Sequence, residues 1–189
     1  ADSTHSGTKI NIQHYDPIED VESKVDEFKD LARYVSWMQD IDVTVNGNGL
    51  AHTFTPDLET EYCYTSYNEN SVTTRASLYN MGAFVNKTDI KDDNGDSVPV
   101  EGDIITKDSL RLNNARTEVI EGDKTWEQVK EDYVLGAAYY LADSNDLGSR
   151  QKKWLVKQSA TDDDLFSLIK DRDIIEDVNG NSLSLSDLE

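Results

Sequence analysis

The sequence predicts an α+β fold: a central antiparallel β-rich block over about residues 41–120, flanked by an N-terminal helix and by C-terminal helices. Three observations predict it. Apolar residues recur at spacings of three and four between Ile18 and Met38, and again between Trp126 and Leu141. Between these stretches the apolar residues alternate, as on a half-buried strand. Asn-Gly pairs, which suit tight hairpin turns, punctuate the alternating runs. The chain shows neither an internal repeat nor a Pro-, Gly- or Ser-rich linker, so residues 1–189 are expected to form one domain. Segments 1–16 and 178–189 are expected to act as arms that contact partners.

Taken in order, residues 8–15 alternate around Ile10 and Ile12 and read as a short strand. Asp16-Pro17-Ile18-Glu19 combines a capping carboxylate, a proline at the first helical position and a glutamate at the third. The helix it opens is expected to reach about Gln39. Ile18, Val21, Val25, Phe28, Ala32 and Val35 form its apolar stripe, with Leu31 and Met38 alongside and acidic residues opposite. The stripe is expected to face the core; its spacing also fits the heptads of a seam with a neighbouring subunit. Ile41, Val43 and Val45 alternate into the turn Asn46-Gly47-Asn48-Gly49. Residues 52–55, 60–67 and 71–79 read as strands, and Ile90 to Val98 as a hairpin around Asn94-Gly95. Residues 103–106, 109–112 and 117–120 add short strands.

Thr125-Trp126-Glu127-Gln128 has the form of a capping box and opens a helix to about Asp143. Trp126, Val129, Tyr133, Val134, Ala137, Ala138 and Leu141 share one face of it. Gly136 inside that helix costs stability relative to alanine and predicts close packing against a neighbour. Residues 150–158 suit a short helix or strand. Thr161-Asp162-Asp163-Asp164 places carboxylates at the favourable end of a third helix, which reaches about Lys170. The alternating Ser-Leu run at the end suits an edge strand or a segment draped over a partner.

Charge narrows the setting. The chain carries 38 Asp and Glu against 18 Lys and Arg, a formal net charge of -20, spread along its length. Such a surface repels itself in dilute buffer. At ~1 M salt the Debye length falls to about 3 Å and the repulsion is screened. In this dispersed acidity and its scarcity of lysine the chain resembles proteins of extreme halophiles, above all haloarchaea and their viruses. In size and composition it is similar to structural virion proteins of such viruses. That resemblance implies a non-enzymatic neck, connector, tail or capsid component, assembled in the host cytoplasm and carried in the virion. Its implied partners are copies of itself, as a homo-oligomer or lattice, and other virion proteins.

Other classes find little support. The chain has no basic footprint for sequence-specific contact with nucleic acid and no apolar run of 18 residues for a membrane span. Ala1 to His5 carry neither the basic region nor the apolar core of a signal peptide. Glycine-rich phosphate loops and the nucleophile elbow are missing from the sequence. His5, His14 and His52 stand at no metal-ligand spacing, and Cys63 is the one cysteine, so neither a zinc site nor an intrachain disulfide is expected. Cys63 lies in an aromatic, strand-like run and reads as a packed thiol. His14 beside Asp16 has the composition of a general base but reads as structural or solvated. Asp92-Asp93-Asn94-Gly95-Asp96 resembles a calcium loop, yet Ser97 stands where that loop needs glycine, so a hairpin turn or a weak cation site is expected. No catalytic residue, metal ligand or cofactor is therefore expected.

Two stretches lack acids. Residues 70–88 include Leu78, Tyr79, Met81 and Phe84 and are expected to lie in the core or in an interface. Residues 147–161 hold Arg150, Lys152, Lys153 and Lys157 around Trp154, an island suited to docking on an acidic neighbour. The same cations also suit a helix face that neutralises the chain's own acids. These nine side chains are the candidate interface. Two alternatives stay open: a small cytoplasmic halophilic enzyme without a recognisable motif, and a monomeric or dimeric binding module.

Overall fold

Asp20 opens the first helix, α1 (Val21–Gln39), its carboxylate accepting a hydrogen bond from the Ser23 amide at 2.9 Å. The computed structural model describes residues 20–39, 41–50, 54–68, 74–176 and 181–188. The strand expected over 8–15 and the cap expected at Asp16 to Glu19 lie outside the described residues, as do His5, His14 and His52. After α1 comes a small hairpin of β1 (Thr44–Val45) and β2 (Asn48–Gly49). Asn46 and Gly47 both take positive φ, 52° and 80°, the two-residue turn that Asn-Gly favours.

Five strands then build the main sheet: β3 (Leu58–Glu59), β4 (Cys63–Asn68), β5 (Arg75–Asn80), β6 (Ala83–Asp89) and β7 (Glu101–Thr106). Their order is β3-β4-β7-β5-β6. The sheet is mixed rather than antiparallel throughout, because β5 runs parallel to β7, with Ala76 opposite Gly102 and Asn80 opposite Thr106. Sequence order suggests that β4 and β5 pair; instead β7 enters between them. Its Gly102, Ile104, Ile105 and Thr106 are all buried, so this strand tolerates cover on both faces and takes the centre. The expected hairpin at Asn94-Gly95 forms in the connection from β6 to β7, with Gly95 at φ 80°.

Strand β6 was not legible in the sequence. It is an edge strand, offset by an irregular register at Leu78 and Tyr79, and its exposed Lys87 interrupts the apolar alternation. Residues 109–112 and 117–120 meet only through one bridge, Leu112 with Val119.

Helices α2 (Lys124–Asp143), α3 (Ser149–Ser159) and α4 (Asp163–Ile169) pack together, with α2 against β4. The cap of α2 is Asp123, not the capping box expected at Thr125. The Asp123 carboxylate accepts from the Trp126 amide at 2.9 Å and from the Arg111 amide at 3.0 Å. It thereby ties the helix start to the preceding loop, which a cap two residues later would not reach. Burial pushes this carboxyl up, but the backbone amides of Arg111, Trp126 and Thr125 outweigh it and hold the group below the usual range. Asp162 caps α4 through the Leu165 amide, and the Arg172 guanidinium donates to the carbonyls of Ala142 and Ser144 at the end of α2. The Ser-Leu run supplies β9 (Ser182–Leu183), antiparallel to β8 (Ile175–Glu176).

The sheet separates two apolar clusters. On one face Cys63, Tyr67, Leu78, Ile104 and the hairpin residues Ile90 and Val98 meet α2, α3 and α4. Gly136 is where the helix comes closest: a Cβ there would lie 2.3 Å from the Tyr67 hydroxyl oxygen and 2.7 Å from Leu58. That hydroxyl is held, accepting from Thr65 Oγ1 at 2.9 Å and donating to the Tyr133 carbonyl at 3.0 Å. On the other face Tyr34, Tyr79 and Ile105 form a smaller cluster with Met38, Phe54 and Tyr64. The rings of Tyr34, Trp37, Phe54, Tyr64 and Tyr79 pack edge to face at 4.5–5.0 Å.

Candidate interaction surface

Only the last turns of α1 are seated on the sheet. Tyr34 donates its hydroxyl proton to Asp103 at 2.6 Å, and Arg33 lies 3.5 Å from the same carboxylate. Burial, then the Asp103 hydrogen bond, pushes the Tyr34 phenol well above its ordinary range. The β5–β6 turn closes against the helix: a Cβ on Gly82 would lie 2.5 Å from the Tyr34 carbonyl oxygen, and Gln39 donates to the Met81 carbonyl at 3.1 Å.

The first three turns have no such seat. Val21 is 60 % exposed, Phe28 56 % and Leu31 36 %, and Val25 is half-buried. The core-facing expectation for the α1 stripe therefore fails over this half of the helix. The physical reason is orientation. Tyr34, Trp37 and Met38 point at the sheet, and the 4-3 stripe lies on a different side of the cylinder. The helix is also nearly neutral, with four carboxylates against three cations, where the whole chain carries 38 against 18. Sequence reasoning found these residues but assigned them to the core; their heptad spacing was the signal for the other assignment.

The basic island forms α3. Its interior side carries Trp154, Leu155 and Ser159, so Trp154 is a core residue, 4 % exposed, and not the exposed anchor expected of it. A buried indole N–H needs an acceptor, and it donates to Asp92 Oδ2 at 3.0 Å, where Gln158 also donates at 2.6 Å. The outer side is cationic. Arg150, Lys153 and Lys157 border a groove of about 330 Å³ with Asp96, Ser97 and Ser149. Lys157 pairs with Asp96 at 2.6 Å, so this cation does neutralise an acid of its own chain. Lys152, Lys153 and Val156 border a second groove floored by Ile174 and Ile175.

The acid-free stretch divides between core and surface. Leu78 and Tyr79 are buried in β5, which the sheet covers on both sides, whereas Met81 and Phe84 are exposed at the hairpin end. Residues 69–73 lie outside the described residues.

Asp92 also organises the hairpin, its Oδ1 accepting the amides of Asn94 at 3.0 Å and Asp96 at 2.9 Å. The turn amides thus occupy Oδ1, while the α3 side chains Trp154 and Gln158 occupy Oδ2. A cleft of about 300 Å³ lies beside it, bordered by Asp93, Glu127, Lys130, Glu131 and Asp162. Glu127 pairs with Lys130 at 2.6 Å, and Asp162 is the α4 cap. Among the described residues no cluster of three His, Cys, Asp or Glu is placed to hold a metal ion, and no helix is long and apolar enough to cross a membrane. Burial pushes the Cys63 thiol up to about 11, against a lowering from its contact with Thr60, which favours the protonated form at neutral pH. Compared with known proteins, the chain matches no family model, no curated protein and no solved structure.

Proposed function

We propose that this chain is a non-enzymatic structural component of a particle assembled in concentrated salt, a virion of a halophilic archaeal virus, working through contacts with copies of itself and with other particle proteins. The observation that carries the reading is the outer half of α1. It presents Val21, Phe28 and Leu31 to solvent on a nearly neutral helix of a chain whose net charge is -20. An exposed apolar stripe is a cost to a lone molecule and an asset to one that is covered by a partner. The acidic remainder of the surface keeps the molecule soluble and, once screened by salt, permits close approach. The cationic outer side of α3 supports the same reading as a second surface of opposite sign to most of the chain.

The test is mass by light scattering behind a sizing column, in ~3 M KCl and then in dilute buffer. The expected result is an oligomer in high salt and loss of compactness below roughly 0.5 M salt, where carboxylate repulsion regains its range. A strict monomer at high concentration in ~3 M KCl, with no particle containing the chain, refutes the proposal.

A further inference from the structure

Over the described residues the exposed stripe keeps a heptad register. Val25 and Ala32 hold one apolar position of the heptad, and Val21, Phe28 and Val35 hold the other. At Val35 the chain blocks its own seam, because a Cβ on Gly82 at the hairpin turn would lie 3.0 Å from the Val35 Cα. Among the described residues the open stretch is therefore Val21 to Ala32, about 18 Å of helix.

We infer that this stretch pairs with the same stretch of a second copy, the two helices running antiparallel. The inference rests on the assembly reading above and names the partner and geometry of its first contact. Sliding the two open stretches antiparallel until they overlap fully puts Val21 opposite Ala32 of the other copy and Val25 opposite Phe28. Val21, Val25, Phe28 and Ala32 thus each meet their complementary heptad position. The flanking charges choose the same direction. In this register Glu22 of each copy faces Lys29 of the other, two opposite-charge pairs, and the aliphatic stem of Lys24 covers Leu31. A parallel pair in register sets Lys24 of each copy against Lys29 of the other, two like-charge contacts. Within its own helix Lys29 pairs with Asp26 at 2.8 Å and Lys24 with Glu27 at 2.6 Å. These are exposed i,i+3 pairs of little worth, so Lys29 is able to turn to the partner. Antiparallel pairing also places the two sheet domains at opposite ends of the helix pair, since each is seated at the C-terminal end of its own α1.

The experiment uses the full chain in sedimentation equilibrium, at the lowest KCl concentration that keeps the native circular dichroism. Phe28→Asp is expected to raise the dissociation constant at least ~30-fold, as loss of a central apolar anchor does. Phe28 is exposed in the single chain, so the variant keeps its fold, checked by the same circular dichroism. Glu22→Lys and Lys29→Glu each weaken association, and the double variant restores it. A disulfide test fixes direction, with Cys63 buried and not competing. Val21→Cys mixed with Ala32→Cys cross-links on oxidation, and Val21→Cys alone does not.

The outcomes are separable. A wild-type chain that is monomeric in ~3 M KCl overturns both the seam and the assembly reading. A wild-type oligomer whose mass is unchanged by Phe28→Asp overturns the seam alone. Efficient self-cross-linking of Val21→Cys overturns the antiparallel direction. Dissociation by Phe28→Asp, with rescue in the double charge reversal, establishes the seam.

Discussion

Replacing Asp92 by alanine removes four hydrogen bonds at once. The side chain is 8 % exposed, with Oδ2 accepting from Trp154 and Gln158 and Oδ1 from the amides of Asn94 and Asp96. Stranding a buried donor costs about 1–3 kcal/mol. Trp154 is the costliest, because its indole is enclosed between α3 and the hairpin; about 2 kcal/mol is expected there. Gln158 is half-buried and the two amides lie near the surface, where water replaces the carboxylate; together they add about 1–2 kcal/mol. The total, about 3–4 kcal/mol, is a large part of the 5–15 kcal/mol that holds a typical domain together. Asp92→Asn keeps a single acceptor oxygen, which serves either the indole or the turn, so about half the loss is expected. Asp93→Ala, one residue on and exposed, is the control and is expected within about 0.5 kcal/mol of wild type. The assay is urea unfolding in concentrated KCl, read by tryptophan fluorescence. Urea carries no charge and so leaves the screening constant, and an unchanged m-value confirms that only stability moved. An Asp92→Ala variant within about 0.5 kcal/mol of wild type refutes the role assigned to this carboxylate.

Gly136→Ala tests the contact between α2 and the sheet. Helix propensity favours alanine by about 1 kcal/mol, whereas a Cβ 2.3 Å from the anchored Tyr67 hydroxyl costs about 3 kcal/mol or more, so a net loss is expected; a rise in the urea midpoint refutes the packing argument. Alkaline pH tests the buried phenols and thiol. Burial raises Tyr34, Tyr67 and Tyr133 well above the ordinary value and Cys63 to about 11, so the folded chain holds these protons more tightly than the unfolded one. Their contribution is fully present below about pH 8.5, the unfolded cysteine value, and is lost as pH climbs through the unfolded tyrosine value near 10 toward the folded ones. Tyrosinate absorbance is expected in two phases, the second coinciding with loss of circular dichroism; ionisation of all nine tyrosines with the fold intact refutes it.

The comparison between sequence and structure turns on which interactions are local. The Asn46-Gly47 and Asn94-Gly95 turns, the acidic start of α4 and the apolar face of α2 were legible because a few neighbouring residues suffice to produce them. Gly136 was legible as a close contact, since a helix keeps a costly glycine where a side chain has no room, but its partner Tyr67 was not. The Asp123 cap was misplaced by two residues because its second bond, from the Arg111 amide, comes from outside the helix.

By itself the sequence determined the α+β class, helices α1, α2 and α4, strands β1, β4, β5 and β7, and a dispersed net charge of -20. All of these follow from composition and from periods of two or about 3.6 residues. Only the tertiary structure decided that β7 enters between β4 and β5, that Trp154 turns inward to Asp92, and that the α1 stripe stays exposed. A periodic pattern states that a helix has an apolar side. It does not state what that side meets, because the answer depends on how the helix is rotated when a few other residues, here Tyr34 and its neighbours, take the seat on the sheet.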